Sequence, residues 1–264
     1  MDNTQILGYL GALVVGLVLG LIGGGGSILT VPLLVYLLGY NPIVATAYSL
    51  FVVGTTSLVG TFQKYREGLV DIKTGLAFSF PSFVAVYLSR RYLVPNIPNN
   101  LFSSDSFILT KEMGIMMFFS IIMLLAAVSM IKNKKDNSIP KRKQAYYKTF
   151  IQGLTIGTIT GIIGAGGGFL YVPALVLWAN IPMKKAVGTS LIIVTINSLI
   201  GFTGDIQTLS IDWAFLILFS LISVLGIIIG VYLSKFISGN KLKKSFGFFT
   251  LFMAIYIVYR ETSN

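Results

Sequence analysis

Between Asp2 and Lys64 the chain carries no charged side chain, an interval of 61 residues (64 − 2 − 1). A water-exposed surface cannot be built from such an interval, because about a quarter of the residues of an ordinary soluble domain are charged. Over the whole chain the charged fraction is 11% and the hydrophobic fraction 55%. The sequence therefore predicts a protein whose surrounding solvent is a lipid bilayer.

Two residue types with wide chemical use are absent, since the chain has neither cysteine nor histidine. Disulfides, thiolate metal sites and cysteine catalysis are excluded, together with the commonest general base and metal ligand. The net charge of +11 comes from basic residues placed between apolar segments, which is typical of a topology signal. We expect no cofactor, no metal, no nucleic-acid partner and no enzymatic activity.

Several apolar segments approach the ~20 residues that an α-helix needs to cross a bilayer. They are 42–62, 71–92, 111–131, 183–203, 212–236 and the slightly short 242–259. We also interpret residues 5–22 as a retained membrane segment, because Met1-Asp2-Asn3 lacks the basic start of a signal peptide. The fold class predicted is an all-α integral membrane protein.

Two further apolar regions, 5–39 and 148–180, are interrupted by glycines at 23–26 and 164–168 and then contain Pro32 and Pro173. Each predicts a helix, a break and a second helix of ~11 residues starting near 27–28 or 168–169. Such a helix is ~17 Å long, too short for a ~30 Å hydrocarbon core. Sequence alone leaves open whether each broken region is re-entrant or forms two tilted short spans.

The two broken regions are related by a constant offset. Pro32 and Pro173 differ by 141 positions (173 − 32), and so do Asp71 and Asp212. The same offset relates Ser49 to Ser190, Ser57 to Ser198 and Gly60 to Gly201. We therefore predict two repeats of about five helical segments each, 1–131 and 148–264, joined by a basic cytoplasmic linker at 132–147.

The basic residues orient these repeats. Sixteen of the twenty fall in the 63–73, 132–148, 180–185 and 235–244 connections, which lie on one side if each broken region enters and leaves by the same face. Positive-inside counting makes that side cytoplasmic. It places both termini outside, with Asp2, Asp105, Asp205 and Asp212, and it inverts one repeat relative to the other.

Matching breaks in inverted halves indicate a transport site near the bilayer midplane. A helix break in lipid is tolerated only where protein or a water-filled cavity surrounds it, and a helix start offers unpaired N–H groups to an anion. The predicted binding residues are Gly24, Gly25, Gly26, Ser27, Ser49, Ser57, Gly166, Gly167, Gly168, Ser190, Asn197 and Ser198. The alternatives are close packing by the glycines and helix–helix hydrogen bonding by the polar side chains.

Four other polar residues are interpreted structurally. Asp71 and Asp212 each precede a helix and are predicted to be N-caps. Arg90 and Arg91 lie near the outer side, where we expect them to reach towards the interface, with an outer anion vestibule as the alternative. Apart from positions at the very start of a span, such as these two caps, no acidic residue falls inside a predicted span, so we expect movement driven by the membrane potential rather than by a proton relay.

The glycine runs at 23–26 and 164–168, each leading to Val-Pro (Val31-Pro32 and Val172-Pro173), resemble the sulfite exporter TauE/SafE family. So do the stretches that continue from Pro42 through Thr46-Ala47-Tyr48-Ser49-Leu50, and along Ala186-Val187-Gly188-Thr189-Ser190-Leu191. The resemblance covers nearly the whole chain. It implies bacterial cytoplasmic-membrane transport, usually export, of sulfite, thiosulfate, sulfoacetate or related organosulfonates.

We therefore expect alternating access around a shared anion site. The membrane potential would contribute ~2.3 kcal/mol per charge per 100 mV to export, or ~4.6 kcal/mol for a dianion. Three alternatives remain: an anion channel, a non-transporting assembly subunit that docks through the basic linker, and a membrane-embedded enzyme. The partners expected are the anion and the lipid bilayer, with a homo-oligomer possible.

Overall fold

A computed structural model describes residues 3–104, 107–132, 146–164, 166–179, 181–207 and 209–263. The helices are α1 (Asn3–Ile22), α2 (Gly25–Pro32), α3 (Pro42–Arg66), α4 (Ile72–Leu88), α5 (Val94–Asn96), α6 (Lys111–Lys132), α7 (Tyr146–Ile163), α8 (Gly168–Leu177), α9 (Met183–Asp205), α10 (Trp213–Ser234) and α11 (Gly239–Ser263). Two π-helical segments follow α2 and α4: π1 (Leu33–Leu37) and π2 (Ser89–Leu93). The strands are β1 (Asn100–Ser104) and β2 (Phe107–Thr110), which form an antiparallel hairpin.

Within this described part of the chain, seven helical stretches are long and apolar enough to cross a membrane. They are Gln5–Ile22, Pro42–Arg66, Ile72–Asn96, Lys111–Lys132, Met183–Asp205, Trp213–Ser234 and Gly239–Ser263. The short apolar helices Ile28–Leu37 and Gly168–Leu177 correspond to the two predicted after the glycine breaks. The prediction of an all-α membrane protein is confirmed, with the β1–β2 hairpin as a small addition that the sequence analysis did not anticipate.

Two of the long helices start at the predicted aspartate caps. The Asp71 carboxylate accepts a hydrogen bond from Thr74 N at 3.1 Å, and the Asp212 carboxylate accepts one from Phe215 N at 3.1 Å. Each bond satisfies a backbone donor that has no partner inside the helix, and a negative charge there complements the helix dipole. Both N-cap predictions are confirmed.

The helices pack in pairs that correspond under the offset of 141. α1 packs on α10 as α7 packs on α4, and α3 packs on α10 as α9 packs on α4. α3 contacts α9, and α6 contacts α11. This pattern is what two related halves would produce around a pseudo-two-fold axis between α3 and α9.

A pair of hydrogen bonds between the halves follows the same relation. Asp71 N donates to Thr189 Oγ1 at 2.9 Å, and Asp212 N donates to Tyr48 Oη at 2.7 Å. The two donors and the two acceptors are each related by the offset of 141, since 212 is 71 plus 141 and 189 is 48 plus 141. Each cap residue of one predicted repeat is therefore bonded to the equivalent position of the other. The basic linker lies almost wholly at 133–145, outside the described residues, and Asp2 and Asp105 also lie outside them.

Glycines let the paired helices approach at backbone distance. A methyl group on Gly20 would lie 2.6 Å from the carbonyl oxygen of Ile227 in α10, and one on Gly153 would lie 2.9 Å from that of Phe78 in α4. Lipid provides no hydrophobic driving force between helices, so van der Waals contact at this short distance stabilises their packing instead. The glycine-packing alternative is therefore correct for these glycines along the helices.

The outward surface is apolar. Phe80, Leu125 and Phe252 are each more than 60% exposed, and many other leucine, isoleucine and phenylalanine side chains share this surface. In a water-soluble protein such a surface would be an aggregation liability, but in a bilayer it is the face that meets the acyl chains.

Candidate functional site

The two glycine breaks meet in the interior of the helix bundle. A methyl group on Gly24 would lie 2.6 Å from Phe169 N, and one on Gly168 would lie 2.6 Å from Gly24 Cα. Gly24 is the N-cap of α2, and Gly168 is the first residue of α8. The starts of the two short helices therefore touch backbone to backbone, as their predicted convergence required.

The first break turns at Gly23, whose φ of +77° is favourable only for glycine. Gly23 N still donates to Leu19 O at 2.7 Å, so α1 closes on the break itself. Ser190 Oγ, in α9, approaches Gly23 O at 3.1 Å and Val187 O at 2.8 Å. The first break is thus held against α9 by a side chain that the sequence analysis assigned to the site.

The second break contains three left-handed glycines, Gly164, Gly166 and Gly167, with φ of +69°, +67° and +71°. Gly167 caps α8, and its carbonyl oxygen accepts from Leu170 N at 2.9 Å and Tyr171 N at 3.0 Å. The first two amides of α8, those of Gly168 and Phe169, have no acceptor within the helix. The peptide group that joins these two residues lies against Gly24.

Buried hydroxyl groups lie on α3 and α9, the helices that follow the two short helices. Ser49, Ser57 and Ser198 are fully buried, and their Oγ atoms have no hydrogen-bond partner among the described residues. A methyl group on Gly166 would lie 2.8 Å from Ser198 Oγ, which places this hydroxyl directly beside the second break. A buried hydroxyl without a partner is costly, on the order of 1–3 kcal/mol, so these three groups are candidates for contact with a ligand.

The remaining predicted site residues differ in placement. Gly26 packs back on α1, where a methyl group would lie 2.6 Å from Leu19 Cβ, so it does not face α8. Gly25 is the first residue of α2, and the surroundings of Gly25 and Ser27 lie outside what the structure describes.

Asn197 belongs to a buried polar cluster rather than to the glycine junction. Its Nδ2 donates to Ser82 Oγ at 2.9 Å and to Tyr171 Oη at 2.7 Å, and the Ser82 and Tyr171 oxygens also bond to each other. Both amide donors of Asn197 are therefore used within the protein. The cluster joins α4, α8 and α9, and it fixes the orientation of α8 behind its N-terminus.

Arg90 is the most important residue that the sequence analysis placed wrongly. It was expected at the interface, but it lies in π2 and is 1% exposed. Its Nε donates to Asp205 Oδ1 and Oδ2 at 3.0 and 2.8 Å, and its Nη2 lies 2.6 Å from Asp205 Oδ2. Burial of a guanidinium in a membrane protein requires such a partner, because an isolated charge in a low-dielectric interior is expensive.

Asp205 also corrects the expectation that no acidic residue lies within a span. α9 continues to Asp205, which is 4% exposed. A signal for the pair was present in the sequence: Arg90 and Asp205 each end a long uncharged stretch, 74–89 and 186–204, and both lie on the predicted outer side. Opposite charges in these positions indicate an ion pair between the two halves.

A second charged cluster lies where α3 ends. Lys64 is buried, and its Nζ donates to Ser234 Oγ at 2.6 Å and to Glu67 Oε2 at 3.1 Å, while Lys235 Nζ lies 3.0 Å from Glu67 Oε1. Partial burial of Glu67 opposes its ionisation, but hydrogen bonds from Lys235 and Lys64 outweigh this and lower the pKa of the carboxyl group. Lys64 therefore has a packing role between the halves in addition to its part in the charge bias.

Comparison with known proteins places this architecture in a family. The chain is 27% identical to "Probable membrane transporter protein" of Xylella fastidiosa (strain 9a5c) over 257 residues, covering 95% of this chain and 93% of the relative. It is 30% identical to "Probable membrane transporter protein YunE" of Bacillus subtilis (strain 168) over 232 residues, covering 77% and 78%. "Probable membrane transporter protein MJ0441" of Methanocaldococcus jannaschii is 28% identical over 198 residues, covering 72% and 69%.

No solved structure matches the chain significantly. The profile of the family described as "Sulfite exporter TauE/SafE" matches residues 8–257, which include both glycine breaks, both short helices and the Arg90–Asp205 pair. The protein is a multi-pass membrane transporter protein by this relationship, and the chain belongs to the sulfite exporter TauE/SafE family.

Proposed function

We propose that this protein exports small sulfur-containing anions, such as sulfite, thiosulfate or an organosulfonate, across the bacterial cytoplasmic membrane. The observation that carries the proposal is the backbone contact between Gly24 and Gly168, where two helix starts converge and the unpartnered Ser198 hydroxyl lies beside the second break. Helix starts favour negative charge through their free N–H groups and dipoles. The description of the family supplies the sulfur chemistry.

The mechanism proposed is alternating access. In this structure the junction leaves no room for a methyl group on Gly24, so it cannot hold an anion between the two helix starts. Binding there requires the halves 1–131 and 148–264 to separate at the junction, first towards one side and then towards the other. This closed contact favours a transporter over a permanently open channel.

The proposed topology follows from the positive-inside count. The repeats are inverted, both termini are periplasmic, and the Lys64–Glu67–Lys235 cluster faces the cytoplasm. The Arg90–Asp205 pair then lies on the periplasmic side of the junction. The proposal includes assembly into a homo-oligomer through the apolar outer surface.

The decisive experiment is transport in proteoliposomes loaded with labelled sulfite, thiosulfate, sulfate, sulfoacetate or chloride. We expect saturable flux of at least one sulfur anion and transient accumulation by counterflow, which a channel does not show. If no anion moves faster than in empty liposomes, the protein is not an anion transporter. Saturable flux without counterflow would support a channel instead.

The placement of the site has its own test. Gly25→Val and Gly166→Val should abolish flux without preventing insertion, because a β-branched side chain blocks backbone approach at the breaks. Gly239→Ala is a matched control, since the added methyl group would make an ordinary 3.5 Å contact with Met183 Cβ. Normal flux through both valine variants would refute this placement.

A further inference from the structure

The two glycine breaks differ in charge although they are related by the offset of 141. At the second break, a methyl group on Gly164 would lie 3.0 Å from Arg90 Nη1 and also against Thr46. The equivalent positions of Thr46 and Arg90 in the other half are 187 and 231, and both are valine. The first break is therefore lined by apolar side chains where the second is lined by a guanidinium and a hydroxyl.

One edge of the Arg90 guanidinium makes short bonds and the other edge makes long ones. Nε and Nη2 make bonds of 2.6–3.0 Å to Asp205. Nη1, the nitrogen beside Gly164, makes only two long bonds, to Thr46 Oγ1 at 3.2 Å and to Gly161 O at 3.5 Å. Asp205 therefore positions Arg90, while Nη1 is the donor that an incoming anion can take over.

Other donors at the second break are also uncommitted. Ser198 Oγ lies beside Gly166 and has no partner among the described residues, and the same is true of the fully buried Ser49 Oγ. Ser49 lies one helical turn beyond Thr46 on α3. Its equivalent in the other half, Ser190, is instead bonded to Gly23 O. The Ser49 hydroxyl of the second break is therefore free where that of Ser190 is used, whereas Ser57, the equivalent of Ser198, also has no partner among the described residues.

Apart from the partly exposed Arg91, the charges around this break sum to zero. Arg90 is neutralised by Asp205, and Lys111, which lies within electrostatic range of Arg90, is offset by Glu112. A bound monoanion therefore adds one net negative charge, which the start of α8, equivalent to about +0.5 charge, partly offsets. A dianion adds two, and uncompensated charge in a low-dielectric interior is costly.

We propose that the second glycine break is the anion-binding half of the site, with Arg90 Nη1 and Ser198 Oγ as side-chain ligands, and that it selects singly charged oxyanions such as hydrogensulfite or a monosulfonate. This assignment rests on the function proposed above. It makes the two halves of the site chemically unequal, with the first break serving as an apolar closing surface rather than as a second anion ligand.

The test uses flux of labelled sulfite in proteoliposomes held at zero membrane potential, with methanesulfonate and 1,2-ethanedisulfonate as competing monoanion and dianion. In the wild-type protein methanesulfonate should inhibit at a concentration at least about tenfold lower than the disulfonate. Both competitors can accept the hydrogen bond from Arg90 Nη1, so this ratio measures the cost of the second, uncompensated charge, about 1.4 kcal/mol for each tenfold.

Two variants separate the charge argument from general damage. Asp205→Asn leaves Arg90 with a full positive charge and should shift the preference towards the disulfonate by about tenfold. The double variant Arg90→Gln/Asp205→Asn leaves no unpaired buried charge and should weaken methanesulfonate inhibition by about tenfold or more. Arg91→Gln, the neighbouring and partly exposed arginine, is the control and should match the wild type.

The outcomes distinguish the two proposals. If the wild-type protein carries no labelled anion, the proposed function and this inference fail together. If it carries sulfite but the disulfonate inhibits as strongly as methanesulfonate, or the double variant retains wild-type inhibition, only the present inference is overturned. Should Asp205→Asn alone not fold, the wild-type ratio and the double variant decide the question.

Discussion

Replacing Gly24 by alanine should force the starts of the two short helices apart. The new Cβ would lie 2.6 Å from Phe169 N and closer still to the carbonyl group of Gly168, whereas ordinary contact begins at 3.4 Å, so the backbones must separate by more than about 0.8 Å. The obstacle is backbone at the start of α8, next to Gly168, and it cannot swing away as a side chain would. Overpacking of this kind costs about 1–3 kcal/mol.

That cost falls on the conformation in which the junction is closed. A change of 1–3 kcal/mol shifts a conformational equilibrium by roughly 5- to 150-fold, so Gly24→Ala should raise the population in which the junction is open. The natural absence of cysteine allows this to be measured without background, through the rate at which a thiol reagent labels the single thiol of Ser198→Cys.

We expect labelling at this position to accelerate at least about fivefold in the Gly24→Ala background and to be unchanged with Gly239→Ala. Thermal stability of the purified protein should be recorded alongside, to identify variants that are merely unfolded. A labelling rate and a melting temperature both equal to those of the parent would show that the methyl group is accommodated without separation. The close contact would then have no part in closing the site.

Three further predictions concern the surrounding framework. Asp212→Ala removes the cap of α10 and should lower the free energy of unfolding by about 1 kcal/mol, measured as a fall in melting temperature; an unchanged value would contradict the capping role. Tyr171→Phe leaves the amide of Asn197 with an unmet donor and should cost about 1–3 kcal/mol by the same assay, while equal stability would show that the cluster is not structural. Because the pKa of Glu67 is lowered in the folded state, its contact with Lys235 should stabilise the protein fully above pH 4.5, the ordinary glutamate pKa. This stabilisation should be lost as the pH falls through the lowered pKa. In Glu67→Gln the melting temperature should therefore fall less on acidification, and a pH profile identical to that of the parent would refute this role.

The sequence was sufficient to predict the membrane class, the spans and the two short helices, because each depends on local composition or on a repeat that can be aligned. The caps at Asp71 and Asp212 were predictable for the same reason, since a carboxylate just before an apolar segment has few other roles. The convergence of the glycine breaks was predictable from their matching positions in the two predicted repeats.

What could not be predicted depends on contacts between distant positions. Arg90 and Asp205 are 115 residues apart in the chain, and the packing of α4 and π2 on α9 brings them together. Counting charges along the chain treats each arginine as an independent topology signal, and so it placed Arg90 at the interface. The partners of Asn197 were missed for the same reason, because Ser82 and Tyr171 lie on two other helices.

The π-helical segment that follows α4 has a consequence for how Arg90 reaches its place. Val94 N donates to Ser89 O, one residue further back than in a regular helix, and the adjacent residues Ser89 and Arg90 are both buried. Neighbours on a regular α-helix point about 100° apart. Deleting one residue between the cap at Asp71 and Arg90 would therefore rotate the guanidinium by about that angle, from the interior towards the acyl chains, although the composition of the helix would hardly change.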